Sequence, residues 1–159
     1  MSIPSLGPRG EGWVALQFAC LGLIAAGGLI APTGIPGDPA VAAILGGILV
    51  LAGVALAAWG VLALQSARSF TALPYPRAEG QLVVTGPFRF VRHPIYGGLI
   101  LLAFGWAASR TSIAALVASI ALAIVLDLKR RREEIWLAGR FPGYRDYSSR
   151  TKALIPLLY

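Results

Sequence analysis

The chain has 159 residues, 57% of them hydrophobic and 13% charged, where an average soluble domain carries about a quarter charged residues. With a mean hydropathy of +0.72, the composition points to one small integral membrane domain spanning residues 1–159, with little outside the bilayer. The net charge of +7 does not point to nucleic acid, because the basic residues border apolar runs, where they mark orientation and contact anionic lipid. A single cysteine, Cys20, excludes an internal disulfide, and one cysteine with one histidine argues against a Cys/His zinc site, so no metal is expected.

The first predicted element is the apolar run Trp13–Ala31, long enough to cross a bilayer as a helix. It ends in PTGIPGDP, which cannot continue a helix. Its length, and Pro32 directly after it, favour a retained helix over a cleaved signal peptide. The second span is 40–65, with Gly46, Gly53 and Gly60 at seven-residue spacing on one face. Small residues so placed let two helices approach closely, within the chain or between chains, which leaves the oligomeric state open. The third span, 94–108, is short and repeats the device with Gly98 and Gly105. The fourth helix, 112–139, leaves the membrane at about Leu128, and the SRTS link makes the third and fourth a tight antiparallel hairpin. The expected fold class is therefore all-α, with four transmembrane helices. That count places thirteen of the fourteen Lys and Arg residues on one face, Arg110 excepted. By the positive-inside rule this face, with both termini, is cytoplasmic, and the short Ala/Gly/Arg-rich spans suggest a bacterial inner membrane.

The chemistry gathers on that charged face. In GPFRFVRHPIYGG, Pro94 fits the first turn of a helix and pushes His93 out of helical conformation. The imidazole then stands at a helix N-terminus beside free N–H groups, with Arg89 and Arg92 adding positive charge. This arrangement fits a pocket for a carboxylate or phosphate, and equally a topology determinant with His93 as a cap. In DLKRRREEIWLAGRFPGYRDY, Lys129 and Arg130 stand four residues before Glu133 and Glu134, as intrahelical ion pairs would. Alternatively, one carboxylate turns inward to accept hydrogen bonds from a polar ligand. Trp136 reads as an interfacial anchor, while Phe141, Tyr144 and Tyr147 either cover a pocket or pack the tail. The loop of nearly thirty residues before His93 holds the apolar LVV of AEGQLVVTG, which speaks against disorder and for folding back over His93.

The string LVVTGPFRFVRHPIYGG, a following helical hairpin, then RREEIWL, FPGYRDY and a closing IP, resembles the isoprenylcysteine carboxyl methyltransferase and phospholipid methyltransferase superfamily. The resemblance runs from Gly80 to Pro156, about half the chain. It implies an integral membrane enzyme using S-adenosylmethionine, with a cofactor pocket built from Gly80, Gln81, Leu82, Val83, Phe88, His93, Tyr96 and Glu133. Arg92, at the anion-favouring helix start, joins them. The family often has a tyrosine where Phe88 stands. Lys129 occupies the place of a substrate-contacting arginine in the carboxyl methyltransferases, with Arg130 beside it, and Glu134 completes the acidic pair; a carboxylate acceptor would need no base, and for an amine acceptor Glu133, Glu134 and His93 are the candidates. Lys129, Arg130 and Glu134 form the expected catalytic set. The acceptor is expected to be a small lipophilic or amphiphilic molecule, or a lipid, arriving from the bilayer between the third and fourth helices. Its methylated atom (carboxylate, amine, thiol or hydroxyl) is left open. Two other readings stand beside this one: a nicotinamide-dependent membrane reductase relative, and a non-enzymatic membrane scaffold.

Overall fold

A computed structural model describes residues 3–31, 34, 36–76 and 79–154. Parts of PTGIPGDP, together with Arg77 and the closing Ile155–Pro156, lie outside the described residues. Among the described residues there are five α-helices and no strand: α1 (Glu11–Ile30), α2 (Pro39–Ser66), α3 (Pro94–Ser109), α4 (Ile113–Arg140) and α5 (Tyr144–Arg150). A single 3-10 turn, Gly86–Arg89, precedes α3. The expected boundaries of the first four helices hold to within one or two residues. α5 was not anticipated; its polar, seven-residue sequence carries no apolar periodicity.

Local chemistry sets the helix starts. Asp38 accepts hydrogen bonds from the N–H groups of Ala40 (2.8 Å) and Val41 (3.3 Å), with Pro39 behind it at the first helical position. Ser112 caps α4 by accepting from the Ala115 N–H at 3.2 Å. Its hydroxyl also donates to the Gly27 carbonyl at 2.9 Å. Arg110 Nε donates to the Gly28 carbonyl at 3.0 Å, and Trp106 Nε1 to the Ile24 carbonyl at 3.2 Å. Ser112 and Arg110 of the α3–α4 turn and Trp106 of α3 thus all donate to carbonyls in the last two turns of α1, tying the hairpin to that helix.

α1 and α2 are long and apolar enough to cross a membrane, and α3 is a shorter apolar helix. α4 is apolar in its first half and charged from Asp127 onward. α3 packs chiefly on α2, and α4 chiefly on α1, while α3 and α4 touch along their hairpin. The α2–α3 seam rests on glycine. A methyl group on Gly53 would stand 2.5 Å from the Gly98 carbonyl oxygen, and one on Gly46 the same distance from that of Gly105. The reverse holds too, at 2.6 Å for Gly98 against Gly53 and 2.7 Å for Gly105 against Gly46. On the other side, Cys20, Ile24, Ala103, Leu122 and Leu126 form a buried cluster in which the cysteine acts as a small hydrophobe. The outward faces are apolar as well, with Phe18, Leu23, Ile44 and Leu51 more than half exposed. A surface of this kind suits hydrocarbon rather than water.

Candidate functional site

The site forms where α3 begins. Gly86 takes a left-handed φ of 61°, open to glycine at little cost, and turns the chain into the 3-10 turn. His93 is the N-cap of α3 with Pro94 at the first helical position, and the imidazole makes no cap hydrogen bond. The chain after α5 runs alongside: the Arg92 N–H donates to the Lys152 carbonyl at 2.8 Å, and that of His93 to the Ala153 carbonyl at 3.0 Å. With its backbone held there, the His93 ring is free to face α4.

Two adjacent carboxylates receive it differently. Glu134 Oε1 lies 3.0 Å from His93 Nε2, 3.0 Å from Arg92 Nε and 3.6 Å from an Arg130 guanidinium nitrogen. Glu133 Oε2 accepts from the Tyr96 hydroxyl at 2.7 Å and stands 3.8 Å from His93 Nδ1. The His93 and Tyr96 rings stack, 5.4 Å apart and nearly parallel. Burial raises the Glu133 carboxyl above its ordinary range, an effect that the His93 charge and the Tyr96 hydrogen bond only partly offset. Burial acts on Glu134 too, but hydrogen bonds and charge from His93 and Arg92 overcome it and pull that carboxyl down to about 2. Arg92 further donates to the carbonyls of Ser148 and Thr151, fastening the tail to the start of α3.

The expected pairing of Lys129 with Glu133 does not form. Lys129 is 1% exposed, and its Nζ donates to Gln17 Oε1 of α1 at 2.7 Å and to the Ala72 carbonyl at 3.2 Å. Glu133 is instead taken by Tyr96, whose ring lies 5.0 Å from the ammonium. Among the described residues no carboxylate stands within ion-pair distance of Lys129. Burial lowers its pKa to about 8, with the Glu133 charge pulling the other way. The Arg130–Glu134 pair does form, although Arg130 binds Asp127 more closely, at 2.6 Å.

These groups border a cavity of about 280 Å³. Its polar side is made by Arg92, His93, Tyr96, Lys129 and Glu133. Gly80, Gln81, Leu82 and Val83 fold over it, held by Ser69, whose hydroxyl donates to the Gln81 carbonyl at 2.9 Å and accepts from the Gln81 N–H at 2.8 Å. Phe88 lines it from the 3-10 turn, and Phe141, Tyr144 and Tyr147 line it from the tail. The tail aromatics therefore cover a cavity as well as packing. Trp136 meets the Tyr75 ring edge-on at 5.4 Å. The nine residues expected around the cofactor thus lie on one cavity wall or another, joined by Lys129. Arg130 and Glu134 of the expected catalytic set do not line it. They stand behind His93 and Arg92. Sequence reasoning missed Gln17 and Phe18, which line the cavity from α1. The signal available was Gln17, the one side-chain amide in the first apolar run.

α1 and α2 make little contact with each other. Phe18 of α1 and Val61 and Leu64 of α2 all line the cavity, so its apolar side faces the gap between those helices. A separate apolar cavity of about 570 Å³ lies between α3 and α4, with Asp127 its one charged lining residue. Among the described residues, no cluster of His, Cys, Asp and Glu is grouped to hold a metal ion.

The chain is 35% identical over 83 residues to the cobalt-zinc-cadmium resistance protein CzcN of Cupriavidus metallidurans, covering 52% of this chain and 38% of that protein. The nickel-cobalt-cadmium resistance protein NccN of Alcaligenes xylosoxydans xylosoxydans is likewise 35% identical over 83 residues, covering 52% of this chain and 39% of its own length. The chain thus spans less than half the length of these relatives. No solved structure matches it. The phospholipid methyltransferase family matches residues 41–143, from α2 to the end of α4 and just beyond. The chain belongs to that family, within the isoprenylcysteine carboxyl methyltransferase-like superfamily of membrane methyltransferases.

Proposed function

We propose that this protein is an S-adenosylmethionine-dependent methyltransferase of four membrane-crossing helices, with both termini cytoplasmic, that methylates a small amphiphilic acceptor drawn from the bilayer. The observation that carries this reading is the cavity: segments distant in sequence converge on one space with complementary chemistry. Leu82, Val83 and Phe88 suit a nucleobase, Glu133 can accept from ribose hydroxyls or an ammonium, and Arg92 with His93 favours an anionic end. These residues fit the donor without a glycine-rich phosphate loop, since there is no phosphate to cradle. The family match favours methyl transfer over hydride transfer.

When bound, the donor supplies an electrophilic methyl group on a sulfonium. The chain's own residues have to align and desolvate. Gly80–Val83 and the tail aromatics exclude water. Glu134, held low by Arg92 and His93, orients the imidazole while standing outside the cavity. Lys129 has three donors and spends two on Gln17 and Ala72. The third is free to steady a polar head of the acceptor at the inner end of the cavity. The acceptor approaches through the gap between α1 and α2, past Phe18, rather than between α3 and α4.

The test is methyl transfer from tritiated S-adenosylmethionine in membranes containing the protein, followed by organic extraction. Label should enter the organic phase with the wild type and fall at least tenfold with Lys129→Met or Glu133→Gln. Organic-phase label that is unchanged in both variants would overturn the assignment of the cavity. Its absence with folded wild type would overturn the amphiphilic acceptor.

A further inference from the structure

Tyr144 is 3% exposed and lines the cavity, and its hydroxyl is buried with no hydrogen-bond partner among the described residues. Folded proteins rarely leave such a group unpaired, so a buried donor that borders a cavity calls for an acceptor supplied from within it. Its neighbour makes the contrast. Tyr147, on the same short helix and also buried, donates its hydroxyl to the Phe88 carbonyl at 2.7 Å. The other polar side chains bordering this part of the cavity are likewise engaged: Tyr96 with Glu133, His93 with Glu134, and Arg92 with Glu134 and two carbonyls.

Burial first, then the charge of Glu134, raises the Tyr144 phenol well beyond its ordinary range, so it remains a donor at any physiological pH. Arg92 is the cation in its field. The carboxylates of Glu134 and Glu133 share that field, so the phenol stays a donor and the ligand atom that completes it is an acceptor oxygen; the Arg92 guanidinium favours a carboxylate one. Leu82 and Val83, from the segment folded over the same cavity, suit the nucleoside.

We infer that the Tyr144 hydroxyl donates a hydrogen bond to the carboxylate of the bound methyl donor, at the Arg92–His93 end of the cavity. The inference rests on the S-adenosylmethionine reading and assigns a cofactor-binding role to a tail residue outside the set expected around the cofactor.

The test is calorimetric titration of the detergent-purified full chain with two probes. S-adenosylhomocysteine carries the amino-acid end; 5′-methylthioadenosine keeps the adenosine and thioether and lacks that end. Tyr144→Phe should weaken S-adenosylhomocysteine about tenfold, the effect of one hydrogen bond to a charged group, and leave methylthioadenosine unchanged. Its melting temperature without ligand should equal or exceed that of the wild type, because no protein hydrogen bond is lost. Tyr147→Phe, which releases the Phe88 carbonyl, should melt lower and weaken both probes alike. Unchanged S-adenosylhomocysteine affinity in Tyr144→Phe would overturn the inference, as would equal weakening of both probes. Wild-type protein that binds the two probes equally well would overturn it without any variant. Wild-type protein that binds neither would remove the cofactor reading, and the inference with it.

Discussion

α3 is held in two opposite ways along its length. Against α2 it is fixed by missing atoms, with Gly98 and Gly105 lying backbone to backbone on Gly53 and Gly46. At its N-terminus it is fixed by charge, with Arg92 and His93 converging on one oxygen of Glu134. The glycine seam tolerates no added group and offers no chemistry. The charged end has chemistry but draws its members from α3, α4 and the tail, so it needs a rigid partner to keep its geometry. The seam provides that rigidity, and the site is built where the seam ends.

The comparison can be broken first at the seam. In Gly53→Ala the added carbon meets the Gly98 oxygen at 2.5 Å and the Leu102 nitrogen at 2.6 Å, both backbone. It should cost about 3 kcal/mol, and Gly53→Leu should yield no monodisperse protein on size exclusion. Next comes the charged end. Glu134→Ala leaves Arg92 and Arg130 without their shared carboxylate and should cost about 2–3 kcal/mol in thermal or denaturant melts, with Glu134→Gln costing less. The same carboxylate predicts an acid limb. Unfolded, it takes its proton near 4.5, and folded near 2. The unfolded state therefore binds more protons between those values, and the stability it contributes is complete above about pH 5 and lost as pH falls toward 2. Melting curves of Glu134→Gln should lack that portion of the slope.

A smaller effect of the reverse sign is expected at Lys129. Its pKa falls from 10.5 to about 8 on folding, so burying it costs stability at neutral pH, and this cost is relieved as pH rises between those values. Lys129→Met should therefore melt higher than wild type at pH 7, by about 2 kcal/mol, with the difference shrinking toward pH 10.5, while methyl transfer is lost. The smallest effect sharpens the seam. Gly47 is in the same helix with nothing near its missing Cβ, and Gly47→Ala should stabilise by about 0.5 kcal/mol. Equal gains at Gly47 and Gly53 would show that helix propensity, not close packing, governs the seam.

The seam was legible in sequence because it is periodic: seven-residue glycine spacing reports a helix face directly. Most of the cavity wall was legible because the HP motif, LVV and the Glu pair keep a recognisable order along the chain. What sequence could not divide was the labour between Glu133 and Glu134. They are neighbours on one helix and point about 100° apart, and only the position of Tyr96 and Arg92 decides which faces the cavity. Nor could helical spacing reveal that Lys129 prefers Gln17, a partner 112 residues away on another helix. The tail aromatics could be named as candidates to cover a pocket, but α5 is short and polar, so nothing in its pattern says which tyrosine hydroxyl finds a partner within the chain and which does not.

The most direct measurement is calorimetric titration of S-adenosylhomocysteine into the detergent-purified protein, with His93→Ala alongside and both shown to be folded. The account predicts micromolar binding to wild type and none to the variant, because the imidazole stands between both glutamates at the mouth of α3. Equal affinity in the two proteins, or no binding to folded wild type, would contradict it.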